Sequence, residues 1–404
     1  MTEVRQEAGA IAGELVQLRQ AIHREPEIGL SLPGTQEKVL AALDGLPLEV
    51  TTGRSLSSVT AVLRGGRPGT GRQSVLLRGD MDALPVTERT ELPYASLVDG
   101  IMHACGHDLH TAMLAGAARL LSARQAELAG DVIFMFQPGE EYGAGAALMI
   151  SEGLLDAAGT RPVAAFGLHV VSSLLPLGLC ATRAGTLMAA SDTLEVTVRG
   201  RGGHGARPHT AADPVPAACE IVTALQALAT RRFDVFDPVV ITVGSFHAGT
   251  AANVIPDEAS FQATVRSFSP GVRATVQEAA VGIARGIASA HGLRADAAFV
   301  DGYPVTVNDA GEAAFAEQTV AEVLGGDRFV ELRDPLTGSE DFSYVLEEVP
   351  GAFLFLGACP PDRDLASAPF NHSAEAIFDD AVLGDGAALL AELALRRLAA
   401  GTAG

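Results

Sequence analysis

Residues 74–82 read SVLLRGDMD, and residues 132–141 read VIFMFQPGEE. Each is a short, almost continuous apolar run that stops at Gly or Pro beside acidic residues. Between them, Asp108–Gln125 carries apolar residues at helical spacing. An unbroken apolar run of this length suits a strand buried on both faces. Strand, helix, strand in that order predicts an α/β fold with a mixed, mostly parallel sheet and helices on both its faces. Two further runs, Val59–Leu63 and Val163–Leu168, extend the pattern. In such sheets functional residues gather beyond the carboxyl ends of the strands. Asp80 and Asp82, Glu140 and Glu141, and His169 fall there, after the runs that begin at 74, 132 and 163.

The pattern changes at Asp192–Val198, where Leu194, Val196 and Val198 alternate with polar residues as in a half-exposed strand. A helix over Ala211–Ala229 follows, then strands near Val239–Phe246 and Ser260–Phe268, a helix near Gly271–His291 and a strand near Ala297–Val300. That succession is the ferredoxin-like α+β order. The remainder (Asp309–Leu324 and Glu375–Ala399 helical, Ala352–Gly357 a strand) resumes the earlier style. The expectation is a discontinuous catalytic domain over 1–187 and 300–404, interrupted by a lid or dimerisation domain over 188–299. A chain of 404 residues is long enough for two cores.

A net charge of −21 repels nucleic acid and anionic membranes, which removes both as partners. No apolar run approaches the roughly 18 to 20 residues that span a bilayer. The N-terminal stretch reads as an amphipathic helix rather than an export signal, and the four cysteines are too scattered for a disulfide framework. A cytoplasmic location is expected.

The chemistry concentrates in MHACGHD (102–108). Cys105 and His107 flank one glycine, with His103 and His110 nearby. Thiolate and imidazole are preferred ligands of zinc-like ions, and a glycine lets the backbone turn tightly enough to aim both at one ion. The bland alternative is a buried cysteine beside unrelated histidines. Glu140 and Glu141 follow a strand, so one carboxylate can bind metal while the other faces substrate as a general base. His169 and His372, each structural if taken alone, gain weight as members of this set. Asp82 can orient a ligand or the base. Further on, GGHGARPH (202–209) offers a loop with His204, Arg207 and His209 that could close over a substrate, and the Asn253 amide could bind it. Neither a phosphate-binding GxxxxGK[ST] nor a GxSxG nucleophile elbow is present.

These motifs closely resemble the aminoacylase and carboxypeptidase-type dinuclear metallopeptidases. The match is to their amidohydrolase branch, which includes hippurate hydrolases, N-acyl-amino-acid deacetylases and plant indole-acetyl-amino-acid hydrolases. The pieces run from HREPE (23–27) through RGDMDALP (78–85), MHACGHD, QPGEE (137–141), GLH (167–169), GGHGARPH, GTAANVIPD (249–257) and GSEDF (338–342) to NHS (371–373). The resemblance implies two divalent metals, manganese or zinc with cobalt or nickel possible, held by Cys105, His107, Glu141, His169 and His372. It implies Glu140 as the base that works on metal-activated water, Asp82 as support, and His204 as an oxyanion donor. Asn253 and Arg207 join His204 as substrate contacts, and a homodimer through the inserted domain is expected. Many peptidase members carry a metal-binding histidine where this chain has Asp80. The expected reaction is therefore hydrolysis of N-acyl amino acids, a small-molecule substrate, rather than peptidase action. The alternatives are a dinuclear carboxypeptidase or dipeptidase, and a non-catalytic binding protein of the same fold.

Overall fold

The protein is described from a computed structural model covering residues 2–67 and 73–400. It packs as two compact units, one of residues 1–185, 307–333 and 344–404, the other of 186–306 and 334–343.

The first unit is built on an eight-stranded sheet in the order Leu48–Thr52, Val59–Leu63, Asp131–Gln137, Ser74–Asp80, Ala164–Val171, Gly351–Gly357, Cys180–Thr182, Phe329–Glu331. The strands from Asp131–Gln137 to Gly351–Gly357 are mutually parallel, so their carboxyl ends share one edge. Every residue of Ser74–Asp80 and Asp131–Gln137 is buried. Since neighbouring side chains point to opposite faces, both faces are covered. The helix His107–Ala123 is also buried around almost its whole circumference, packed against Glu3–Arg24, Val382–Ala400 and the sheet.

Some boundaries differ from the sequence reading. His169 lies inside its strand, because pairing with Gly351–Gly357 runs on through Phe355↔His169 to Gly357↔Val171. Asp80 is likewise the last residue of a strand, opposite Gln137. The C-terminal helix begins at Val382 rather than near Glu375. Asp379 Oδ1 accepts the Ala381 N–H at 2.8 Å, and Asp380 accepts Gln20 Nε2 at 2.9 Å, which fixes a turn where helix was expected. The edge strand Leu48–Thr52 has no buried residue and so no apolar pattern to reveal it.

The second unit holds a four-stranded antiparallel sheet in the order Val239–Ala248, Glu258–Ser267, Ala190–Arg199, Arg294–Val300. The strand Ala190–Arg199 buries alternate residues, with Leu194, Val196 and Val198 in a core shared with the helices Pro214–Arg231 and Pro270–Ala290. Asp213 and Ser269 cap those helices, each followed by Pro in the first turn. No helix among the described residues is long and apolar enough to cross a membrane.

Candidate metal centre

The shared carboxyl edge of the parallel strands gathers side chains from widely separated parts of the first unit. Gly106 makes the first approach possible. Its φ of +86° is left-handed, and a Cβ there would lie 2.4 Å from Val170 Cγ2. Only glycine fits both demands, and the turn it makes places Cys105 beside the start of the helix that carries His107.

Cys105 Sγ faces His169 Nε2 at 3.5 Å. His169 Nδ1 donates to the Val170 carbonyl at 2.8 Å, leaving the Nε2 lone pair to face the sulfur, the arrangement that metal-binding imidazoles adopt. His107 is fully buried, yet neither ring nitrogen makes a hydrogen bond. Its Nδ1 is 3.4 Å from Asp82 Oδ1, and its Nε2 is 3.7 Å from Asp80 Oδ2 and 4.0 Å from Glu141 Oε1. Glu141 Oε1 in turn meets His372 Nε2 at 3.0 Å. Ligand atoms of Cys105, His107 and His169 lie within 4.8 Å of one another, as do those of Cys105, Glu141 and His372, and of His107, Glu140 and Glu141. A buried imidazole whose ring nitrogens make no hydrogen bond, thiol and carboxylate donors, and an Nε2 lone pair facing the thiol together fit a transition-metal site.

The electrostatics agree with that fit. Burial opposes protonation of His107, but Asp80, Asp82 and Cys105 outweigh it and raise its pKa well above that of free imidazole. Cys105 and then Glu141 push His372 up to about 10. Burial, with His110 and His107, pushes His169 well below its ordinary value. Burial also penalises the Glu141 carboxylate, but His372 and His107 hold its pKa below the ordinary value. Protons on His107 and His372 thus sit where cationic charge is favoured.

Asp82 is a clamp. Its Oδ1 accepts the Glu140 N–H and its Oδ2 the Glu141 N–H, both at 3.0 Å. Asn371, which sequence reasoning passed over, is another. Its Nδ2 donates to the Cys105 carbonyl at 3.2 Å and the Val170 carbonyl at 3.1 Å, and its Oδ1 accepts the Ser172 N–H at 3.0 Å. His372 follows it with φ of +72° and donates its N–H to the Ala104 carbonyl at 2.8 Å.

Two histidines of the sequence cluster turn elsewhere. His103 is buried against His23, and burial pushes its pKa down to about 3. His23 belongs to a separate buried network: its Nδ1 is 2.7 Å from Asp108 Oδ2, which Arg19 Nε also reaches at 2.8 Å. HREPE is therefore an anchoring motif, with Glu27 accepting the Gly34 and Thr35 N–H groups at the start of the helix Pro33–Leu43. His110 turns its Nδ1 to Asp80 Oδ1.

In the second unit, the strand Gly203–His204 pairs with Val254–Ile255, joining the two loops singled out in the sequence. Gly205 N–H donates to the Asn253 carbonyl at 2.8 Å, and His204, Arg207 and Asn253 are all exposed. His204 Nδ1 accepts the Ala206 N–H at 3.1 Å, which leaves Nε2–H as the outward donor of the neutral ring. GSEDF (338–342) also packs with this unit.

A family model described as peptidase family M20/M25/M40 matches residues 76–396. A thermostable carboxypeptidase of Saccharolobus solfataricus is 37% identical over 386 residues, covering 95% of this chain and 95% of that protein. An N-acetylcysteine deacetylase of Bacillus subtilis is 37% identical, covering 85% of this chain and 88% of its own. Among solved structures, a Bacillus subtilis protein described as a dinuclear metal-binding peptidase of the M20 family superposes with a TM-score of 0.82. It shares 33% identity over 97% of this chain and 99% of that one.

Proposed function

The chain belongs to peptidase family M20/M25/M40 and is a metal-dependent amide hydrolase, and from that premise we propose that it cleaves N-acyl amino acids into a carboxylic acid and a free amino acid. The observation that supports this most directly is the convergence of Cys105, His107, Glu141, His169 and His372 beside the Glu140 carboxylate. Those five residues would hold two divalent ions. The thiolate favours zinc, while imidazole and carboxylate also accept manganese, cobalt or nickel. Bound ions of this kind lower the pKa of a water toward neutrality and polarise the scissile carbonyl.

The chain's own groups do the rest. Glu140 takes the proton of the attacking water and passes it to the leaving amine. Asp82 holds the backbone of Glu140 and Glu141 together, so base and ligand keep their relative positions. The oxyanion contact is assigned to His204 through its Nε2–H, an interaction on the order of 3 kcal/mol. Asn253 and Arg207 are assigned to the substrate, and the inserted domain to a lid and a homodimer contact.

A metal-supplemented screen of N-acetyl and N-benzoyl amino acids beside free dipeptides and longer peptides tests the reading. Turnover of the acyl amino acids is expected. Hydrolysis of peptides alone would favour carboxypeptidase action, which the likeness to the thermostable carboxypeptidase supports. Glu140→Gln should keep its metal and lose about 10²- to 10⁴-fold in kcat. A parent-like rate would remove Glu140 as the base.

A further inference from the structure

One helical turn beyond His107 lies His110, close enough to His107 and Asp80 for the three to resemble a ligand set. The hydrogen bonds point to a different role. Val170 N–H donates to His110 Nε2 at 2.8 Å, which requires the lone pair of that nitrogen. The ring proton therefore sits on Nδ1, which donates to Asp80 Oδ1 at 2.5 Å. Neither nitrogen is left for a metal. Asp80 Oδ2 is paired with Arg78 Nη1 at 2.5 Å, and the Asp80 carbonyl accepts Thr111 Oγ1 at 2.7 Å. Arg78, Asp80 and His110 are all buried, the first two within the central strand.

The imidazole does the work of a missing strand. Ser74–Asp80 pairs with Ala164–Val171 only as far as Arg78↔Gly167. Past that point His110 takes up the Val170 N–H. The Val170 carbonyl accepts His169 Nδ1–H, the bond that leaves the His169 Nε2 lone pair facing Cys105. Held at its N–H by His110 and at its carbonyl by Asn371 Nδ2, Val170 gives His169 a fixed backbone acceptor.

We propose that Arg78, Asp80 and His110 are positioning residues, a buried relay that fixes the Val170 backbone and through it the tautomer and aim of His169, and that His110 is not a metal ligand. The proposal rests on His169 being a ligand.

NMR of the cadmium-substituted protein with isotope-labelled histidine separates the two claims, because cadmium–nitrogen coupling marks each ligand. Couplings are expected at His107, His169 and His372 and none at His110. Coupling at His110 with His169 still coupled overturns the relay alone. Absence of coupling at His169 overturns the ligand set and the relay with it. The parent protein suffices for this measurement, whatever the variants do. In the variants, His110→Gln keeps an acceptor for Val170, whereas His110→Asn is too short to reach it. His110→Asn should weaken metal binding about 10- to 100-fold with unchanged stoichiometry at saturation, and His110→Gln should recover most of that. Equal affinities in parent and both variants, or a metal equivalent missing from both at saturation, would overturn the proposal.

Discussion

Asp82→Asn probes how the proposed base is held. Asp82 is 1% exposed, and each of its oxygens accepts one backbone N–H, from Glu140 and from Glu141. Asparagine has nearly the same shape, but its amide nitrogen must face one of those N–H groups, donor against donor. One bond to a charged acceptor is lost and a buried N–H goes unpaired. Hydrogen bonds to charged groups contribute about 1.5–3 kcal/mol. Local opening around Glu140 should therefore become about 2 to 3 kcal/mol easier, seen as roughly 30- to 150-fold faster amide exchange at Glu140 and Glu141 in the metal-free protein. A carboxylate released from its place should also cost about 100-fold in kcat at saturating metal. Hydrogen exchange followed by mass spectrometry and steady-state kinetics at measured metal occupancy give the two readings. Parent-like exchange and parent-like kcat at full occupancy would refute the clamp.

Three further changes follow from the same geometry. Gly106→Ala must adopt φ of +86° with its Cβ 2.4 Å from Val170 Cγ2, so about 2 to 5 kcal/mol of destabilisation and a fall in bound metal are expected from unfolding and metal analysis. Raised pKa values, that of His372 to about 10, favour the protonated imidazoles of His107 and His372 in the metal-free protein. With both residues as the proposed ligands, metal must displace those protons, so affinity should rise with pH up to that value, and calorimetry in buffers of different ionisation enthalpy should detect protons released on binding. Binding with no proton release would contradict the charge reading. Arg19→Ala strips Asp108 of its buried guanidinium partner and should cost about 3 to 5 kcal/mol in chemical denaturation, because the carboxylate it leaves is fully buried.

Sequence reading reached the parallel sheet because Ser74–Asp80 and Asp131–Gln137 are buried on both faces and therefore centre on short apolar runs without alternation. It singled out Cys105, His107, Glu140 and Glu141 as candidates because their chemistry is compressed into short segments beside glycine or proline. What escaped were relations rather than residues. Asn371 bonds to Cys105 and Val170 across 266 and 201 positions of the chain, and nothing in the spacing of those residues predicts it. His110 and His103 share the local signature of His107, yet one holds a backbone N–H and the other is buried against His23. Only the direction of a hydrogen bond separates ligand from support. A helix beginning at His107 places His110 about one turn further along the same face. An Asn before a histidine in a turn, as at 371, suggests a backbone-binding amide.

His372 shows why such a site resists local rules. Its φ of +72° is a conformation that suits glycine, and a non-glycine residue held there costs on the order of 1–3 kcal/mol. Glycine would relieve the backbone but supply no imidazole. The structure keeps the histidine and restrains the turn around it. Asn371, the preceding residue, donates its Nδ2–H groups to the Cys105 and Val170 carbonyls, and the His372 N–H is bound to the Ala104 carbonyl. The strained turn and the Cys105 turn are thereby fastened to each other, so the donor set is spaced by backbone hydrogen bonds that do not involve a metal. On the proposed reading, a side chain required by the chemistry occupies a backbone position that propensity alone would refuse, and the conflict falls at the proposed site itself.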